Sequence, residues 1–387
     1  MFNSFFIGGF ECSTHRGRDG RRHDLIAATQ HDQFALEDFK RLKERGISVA
    51  REGLRWHLIE PQPERYDFSS VQPILHAAQE TGVQILWDLF HYGFPDDTNP
   101  FEPDFVHRFA QFAYKFAEFL KTETGAETPF VCPFNEISFF TYAAGERGFF
   151  APYEQKRGRE LKPKLVRAAI EAAKAFRSVF PNTRFLQIDP VFHIVPPSDD
   201  WEDWEKTEKY RNAQYESWDL ISGRLQPELG GSSDFLDIVG VNYYYYNQWI
   251  LAEEPEMPGE MIDMSDPRYR PFRGILHEVY ERYRRPIFIA ETGTENEERP
   301  VWLRYVCEET RAAIDAGIPV HGICWYPILN HPGWDDDRYC PNGLWDYPCY
   351  KSGKREIYQP LAEELERQQQ LFAEFFAERK PALAKVV

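Results

Sequence analysis

The chain has 387 residues, of which 42% are hydrophobic and 16% aromatic, enough for a large packed core and too apolar for a disordered chain. Its formal charge is −17, with 62 acidic against 45 basic residues and no basic stripe, so nucleic acid is not an expected partner. No apolar run approaches the roughly 20 residues of a membrane span. The N-terminal MFNSFFIGGFECS has no basic flank before a long apolar segment, and the six cysteines show no CxxC spacing. A reduced, cytoplasmic protein without membrane association, metal or cofactor is the expectation; its oligomeric state is not legible.

Short, near-continuously apolar runs alternate with longer amphipathic ones. FFIGGF (5–10) reads as a first strand, and FALEDFKRLKERG as a helix closed by Gly46. ISVAREGLRW (47–56) and VQILWDLFH (83–91) are the next strands. PDFVHRFAQFAYKFAEFLKTETG follows, with Phe at three- and four-residue intervals and a closing glycine. PFVCPFN (129–135), the helical KLVRAAIEAAKAF and RFLQIDPVF (184–192) continue the alternation. FLDIVGVNYY (235–244) lies between two loops, 190–215 and 246–270, that read as insertions. PIFIAE (286–291), the helical VWLRYVCEETRAAIDAG, VHGICWYPI (320–328) and a charged helix from about 355 to 378 complete the chain.

Eight strands buried on both faces, each followed by a helical segment, predict one (β/α)₈ TIM barrel spanning 1–387 as a single domain. A doubly wound open sheet fits less well, because the first strand is not followed by a GxGxxG turn. In such a barrel the chemistry sits at the carboxyl-terminal strand ends. Those ends carry Arg51, Asp88 and His91, Asn135 and Glu136, Asn242 to Tyr244, Glu291, and Trp325 with Trp334 beyond it. Glu136 and Glu291, from strands four and seven, would face each other across the barrel mouth. Each alone reads equally well as half of a rim salt bridge. Paired, they supply what glycoside hydrolysis needs: one carboxylic acid to protonate the leaving oxygen and one carboxylate to attack the anomeric carbon or activate water.

Several segments together resemble family 1 glycoside hydrolases, the retaining β-glycosidases of the (β/α)₈ clan. FNE (134–136) and PIFIAETG (286–293) are similar to the acid/base and nucleophile motifs of that family, and DLFHYGFP (88–95) to its strand-three motif. VAREGLRWHLIEP (49–61) and FLDIVGVNYYYY (235–246) match its strand-two and strand-six segments. The resemblance implies Glu291 as nucleophile and Glu136 as acid/base. It places Arg51 and Tyr244 beside the nucleophile, Asn135 at the sugar 2-hydroxyl and His91 against the sugar. Glu136, near a second negative charge, is expected to hold its proton more tightly.

Trp325 and Trp334 offer flat faces for a sugar ring, with Asp335 as a further hydrogen-bonding group. Two departures bear on specificity. His15 stands where the family has a sugar-binding glutamine, and Gly333 where it has a glutamate. Glu11 and Asp88 are candidates to bond either Arg51 or a sugar, and the sequence does not choose between them. Asp335, Asp336 and Asp337 lack the spacing of a calcium loop. Cys340 and Cys349 are close enough in sequence to pair. The expected partner is a carbohydrate or glycoside. A transglycosylase with the same residues, or a non-catalytic carbohydrate-binding barrel, are the alternatives.

Overall fold

A computed structural model describes residues 1–125, 128–252, 259–347 and 354–383. All eight predicted strands form: β1 (Phe6–Gly9), β2 (Val49–Gly53), β3 (Gln84–Asp88), β4 (Phe130–Cys132), β5 (Arg184–Pro190), β6 (Ile238–Asn242), β7 (Ile287–Thr292) and β8 (Val320–Trp325). Every neighbouring pair is parallel, and β1 pairs with β8 to close the barrel. The architecture is a (β/α)₈ TIM barrel.

Side chains alternate across a strand, so each strand sends every second residue inward. The inward set is Ile7, Val49, Leu86, Phe130, Cys132, Leu186, Ile188, Ile238, Phe288, Ala290, Cys324 and Tyr326, which pack as one interior cluster. Phe2 closes the amino-terminal end of this cluster edge-on against Phe130 and Phe288. The outward set packs beneath the helices. These are α1 (His31–Glu44), α2 (Gln72–Thr81), α3 (Phe105–Thr124), α4 (Gly158–Val179), α5 (Glu216–Ile221), α6 (Phe272–Tyr283), α7 (Arg299–Asp315) and α8 (Gln359–Leu383). In α3 the predicted phenylalanine stripe is the buried face: Phe105, Phe109, Phe112 and Phe116 meet Trp56, Trp87, Phe90 and Phe134. Each such ring contributes about 1.5–3 kcal/mol by leaving water. The helix ends at Gly125, whose φ of 78° suits glycine.

One helix boundary differs from the sequence reading. α8 begins at Gln359 because the preceding strap is used otherwise: Ile357 bridges to Trp345, and Arg355 is fully buried against Asp38 of α1. The predicted insertions meet each other, His193–Val195 pairing in parallel with Gln248–Ile250 beside the barrel. Between them lies a helix, Trp201–Ala213, on which Thr207 is the buried position. Cys12, Cys132 and Cys324 are buried thiols; Cys349, and with it the question of pairing with Cys340, lies outside the described residues.

Candidate active site

Strand parity delivers the floor of the site. Val49 and Leu86 point inward, so Arg51 and Asp88, two residues on, do as well, and both are fully buried. Ile238 likewise sets the inward row that ends at Asn242. Glu291 is different. Ala290 points into the barrel, which by alternation would turn Glu291 outward. The pairing shifts here: Val241 sits opposite Ile289, but Asn242 sits opposite Glu291, and on the other side Trp325 pairs with Thr292. This irregularity adds a residue to β7 and re-aims Glu291 at the mouth. Glu136 reaches the mouth by another local device. Its backbone is left-handed (φ 49°, ψ 62°), a conformation that costs a non-glycine residue about 1 kcal/mol or more. It is held there by its N–H donating to Ile188 O at 3.0 Å, while Ser138 donates backbone and side-chain bonds to Asp189.

The guanidinium of Arg51 organises the floor. Nε and Nη2 donate to both oxygens of Asp88 (3.2 and 2.7 Å), and Nη2 also donates to Asn135 Oδ1 (2.7 Å). Nη1 donates to Ala290 O (3.0 Å) and Glu291 Oε1 (2.8 Å). All five guanidinium donors are therefore used. Tyr244 OH donates to the other Glu291 oxygen at 2.9 Å. Glu136 has its own pair of donors, Tyr92 OH at 2.5 Å and Asn242 Nδ2 at 2.8 Å. Asn135 Nδ2 donates to Tyr92 OH at 3.0 Å, which links the two carboxylates' shells.

The electrostatics follow from this wiring. Burial and the charge of Glu291 push Glu136 up to about 8, against the downward pull of Tyr92 and Asn242. Burial pushes Asp88 up, but Arg51 and His91 outweigh it and its carboxyl lies below the usual range. Burial and the nearby glutamates raise the phenols of Tyr92 and Tyr244, which keeps both as proton donors.

A cleft of about 530 Å³ opens over this floor. Glu136, Glu291, Tyr244, Trp334 and Asp335 line it, Asp335 at the exposed rim. Five expected residues do not; one is Arg51, fully buried beneath the two glutamates. Trp325 points outward into the outer core, as its place between inward Cys324 and Tyr326 requires, and its indole donates to Asn342 O in the loop after β8. Tyr326, not Trp325, presents the aromatic face at β8. His15 is fully buried behind Trp334, its ring 5.3 Å from the indole, and burial lowers it to about 3. His91 and Asn135 sit one layer below the surface, His91 Nδ1 lying 3.1 Å from Asp88 and Asn135 held by Arg51 and Tyr92. Tyr92 and Tyr326 were not singled out from the sequence, and Asn242 was noted as a strand-end amide without a role. Asn242 and Tyr326 could have been found by strand parity, whereas Tyr92 depends on a loop geometry that parity does not describe. Asp88 resolves as the partner of Arg51. Cys12, Asp88 and His91 bring ligand-type atoms within 4.8 Å of one another, but Arg51 grips both oxygens of Asp88 and fills the place a cation would need.

Comparison with known proteins places the barrel among glycosidase-like folds. The chain superimposes on a family 1 β-glucosidase from Thermotoga maritima with a TM-score of 0.78, at 16% identity, over 95% of this chain and 98% of that one. The AHE enzyme from Alicyclobacillus herbarius gives 0.77 at 17% identity, over 96% of this chain and 99% of the other. A curated relative, the chloroplastic β-glucosidase-like SFR2 of Oryza sativa subsp. japonica, is 23% identical over 335 residues, 77% of this chain. The chain spans about half, 49%, of that relative's length. The family 42 glycoside hydrolase model, described as β-galactosidase, matches residues 27–88, which hold Arg51 and Asp88 but neither glutamate. The chain carries a glycosidase-like TIM barrel. Among the described residues no helix is long and apolar enough to cross a membrane.

Proposed function

We propose that this protein is a retaining β-glycosidase working by double displacement, with Glu291 as nucleophile and Glu136 as acid/base. The observation that carries this reading is the contrast between two buried carboxyl groups in one cleft. Glu291 is bonded to a buried guanidinium and a phenol; Glu136 is desolvated and held protonated at neutral pH by burial and by its neighbour. In the first step a Glu291 oxygen attacks the anomeric carbon. The bond to the leaving oxygen breaks as Glu136 gives that oxygen its proton. The ester at Glu291 removes the charge that had held Glu136 up, so Glu136 becomes more acidic and takes a proton from water. That water attacks the anomeric carbon, the ester bond breaks, and Glu291 returns as carboxylate with net retention. Tyr92 and Asn242 keep Glu136 pointed at the cleft, and Asn135 acts through Tyr92.

The test is a panel of aryl β-glycosides of gluco, galacto, fuco, manno, xylo and glucurono configuration, assayed with wild type and Glu291→Ala. Phenol release by wild type on at least one sugar, reduced by about 10³-fold or more in the variant, is the expected result. Equal trace release by both proteins would remove Glu291 from the nucleophile role and favour a barrel that binds sugar without cleaving it.

A further inference from the structure

Three carboxyl groups in the cleft are almost wholly buried: Glu136, Glu291 and Glu11, the last 5% exposed and two residues beyond β1. The first two have their side-chain donors. Glu11 has none. Oε1 accepts the backbone N–H of Ser13 at 2.9 Å, and no described side chain donates to Oε2, which is not sealed off and so is left to the cleft that Glu11 lines. The neighbouring groups cannot supply one. Arg51 has spent its five donors elsewhere. His91 Nε2 lies 4.0 Å from Oε1, beyond hydrogen-bond reach. A carboxylate oxygen left open to the cleft is an acceptor that a ligand hydroxyl can reach, with a charge-assisted hydrogen bond stronger than a neutral one.

We propose that Glu11 grips the sugar bound in this cleft, accepting hydrogen bonds from its ring hydroxyls, and that it selects an uncharged glycone over a uronic or phosphorylated one. The inference rests on the glycosidase reading only for its kinetic arm. The loop after β8 offers no buried carboxylate for this task. A side chain at Gly333 would collide with the Asp336 carboxylate, and Asp335 and Asp336 are exposed at the rim. An anionic sugar would meet the carboxylates of Glu11, Glu291 and Glu295 together. Arg338, the arginine on the cleft wall, is held by Glu295 through two bonds of 2.9 and 2.6 Å.

The experiment compares wild type, Glu11→Gln and Glu11→Asp on the best aryl glycoside of the panel and on its 3-, 4- and 6-deoxy forms. We expect Glu11→Gln to lose about 10–100-fold in kcat/KM on the parent and less than about threefold on the one deoxy form that lacks the gripped hydroxyl. Glu11→Asp should recover part of the loss. An unchanged rate on the parent, or an equal loss on every form, would overturn the proposal, the second being the signature of a purely structural role. Cleavage of the matching uronoside as fast as the parent would overturn the charge selection. Should wild type cleave nothing, the glycosidase reading fails on its own. Calorimetry with glucose, galactose, mannose and their deoxy forms then decides Glu11 separately. An affinity about tenfold weaker in Glu11→Gln supports it; unchanged affinity, or no binding to wild type, refutes it.

Discussion

Tyr92 is the residue on which the acid/base reading can be tested most finely. Its phenol donates to Glu136 and so favours the ionised carboxylate. Tyr92→Phe should therefore raise Glu136 further and move the alkaline limb of kcat/KM to higher pH, with a rate loss of about tenfold. In the unmodified protein that limb should fall as pH rises through about 8, where Glu136 loses the proton it must donate. Glu136→Gln should abolish the limb and cost about 10²–10⁴-fold on glycosides with a poor leaving group. On an activated aryl glycoside, whose leaving group needs no proton, the loss should be smaller. A pH profile of kcat/KM on both substrate types checks all three outcomes. A limb unmoved by Glu136→Gln would assign the proton to another group.

Between elements, the interaction with most leverage is a buried charged cluster outside the cleft. His31 and Asp38 of α1, Glu52 of β2 and Arg355 of the strap before α8 are all buried; Arg41 of α1 adds a bond from the edge. Burial pushes the His31 imidazole down, but Glu52 and Asp38 push it up more strongly, to about 9. A folded pKa above the ordinary 6.5 contributes stability that is fully present below about 6.5 and is lost as pH rises through about 9. The urea midpoint should accordingly fall between pH 6 and pH 9.5, and His31→Asn should flatten that dependence. Arg355→Met breaks a buried pair and should cost about 3 kcal/mol, read as a lower urea midpoint. An unchanged midpoint would mean that the strap is not anchored through Asp38.

At the scale of the molecule, the net charge of −17 and the acidic cleft act together. A uronoside should bind poorly, and its kcat/KM should rise when ionic strength goes from about 0.05 to about 0.5 M, because salt screens the repulsion. A neutral glycoside should show little change over the same range. Proton NMR of the first-formed anomer should give net retention for any glycoside cleaved; an inverted product would mean that water, not Glu291, attacks the sugar.

The sequence by itself determined the barrel, because strands buried on both faces need continuous apolar runs and a helix pattern between them, and both signals are local. It also marked Glu136, Glu291, Arg51 and Tyr244 as polar groups at strand ends; the glutamates and Tyr244 line one cleft and Arg51 lies beneath it. What it did not convey was which way each strand-end side chain points. Trp325 read as a cleft wall, but alternation with Cys324 and Tyr326 turns it outward. His15 read as a sugar contact and is sealed behind Trp334. Glu291 faces the mouth only because β7 carries an extra residue against both neighbours, a register shift that exists between strands and not within one. Glu11 and Asp88 were indistinguishable as letters. Tertiary structure separated them, since a guanidinium has five donors and their assignment leaves Glu11 without one.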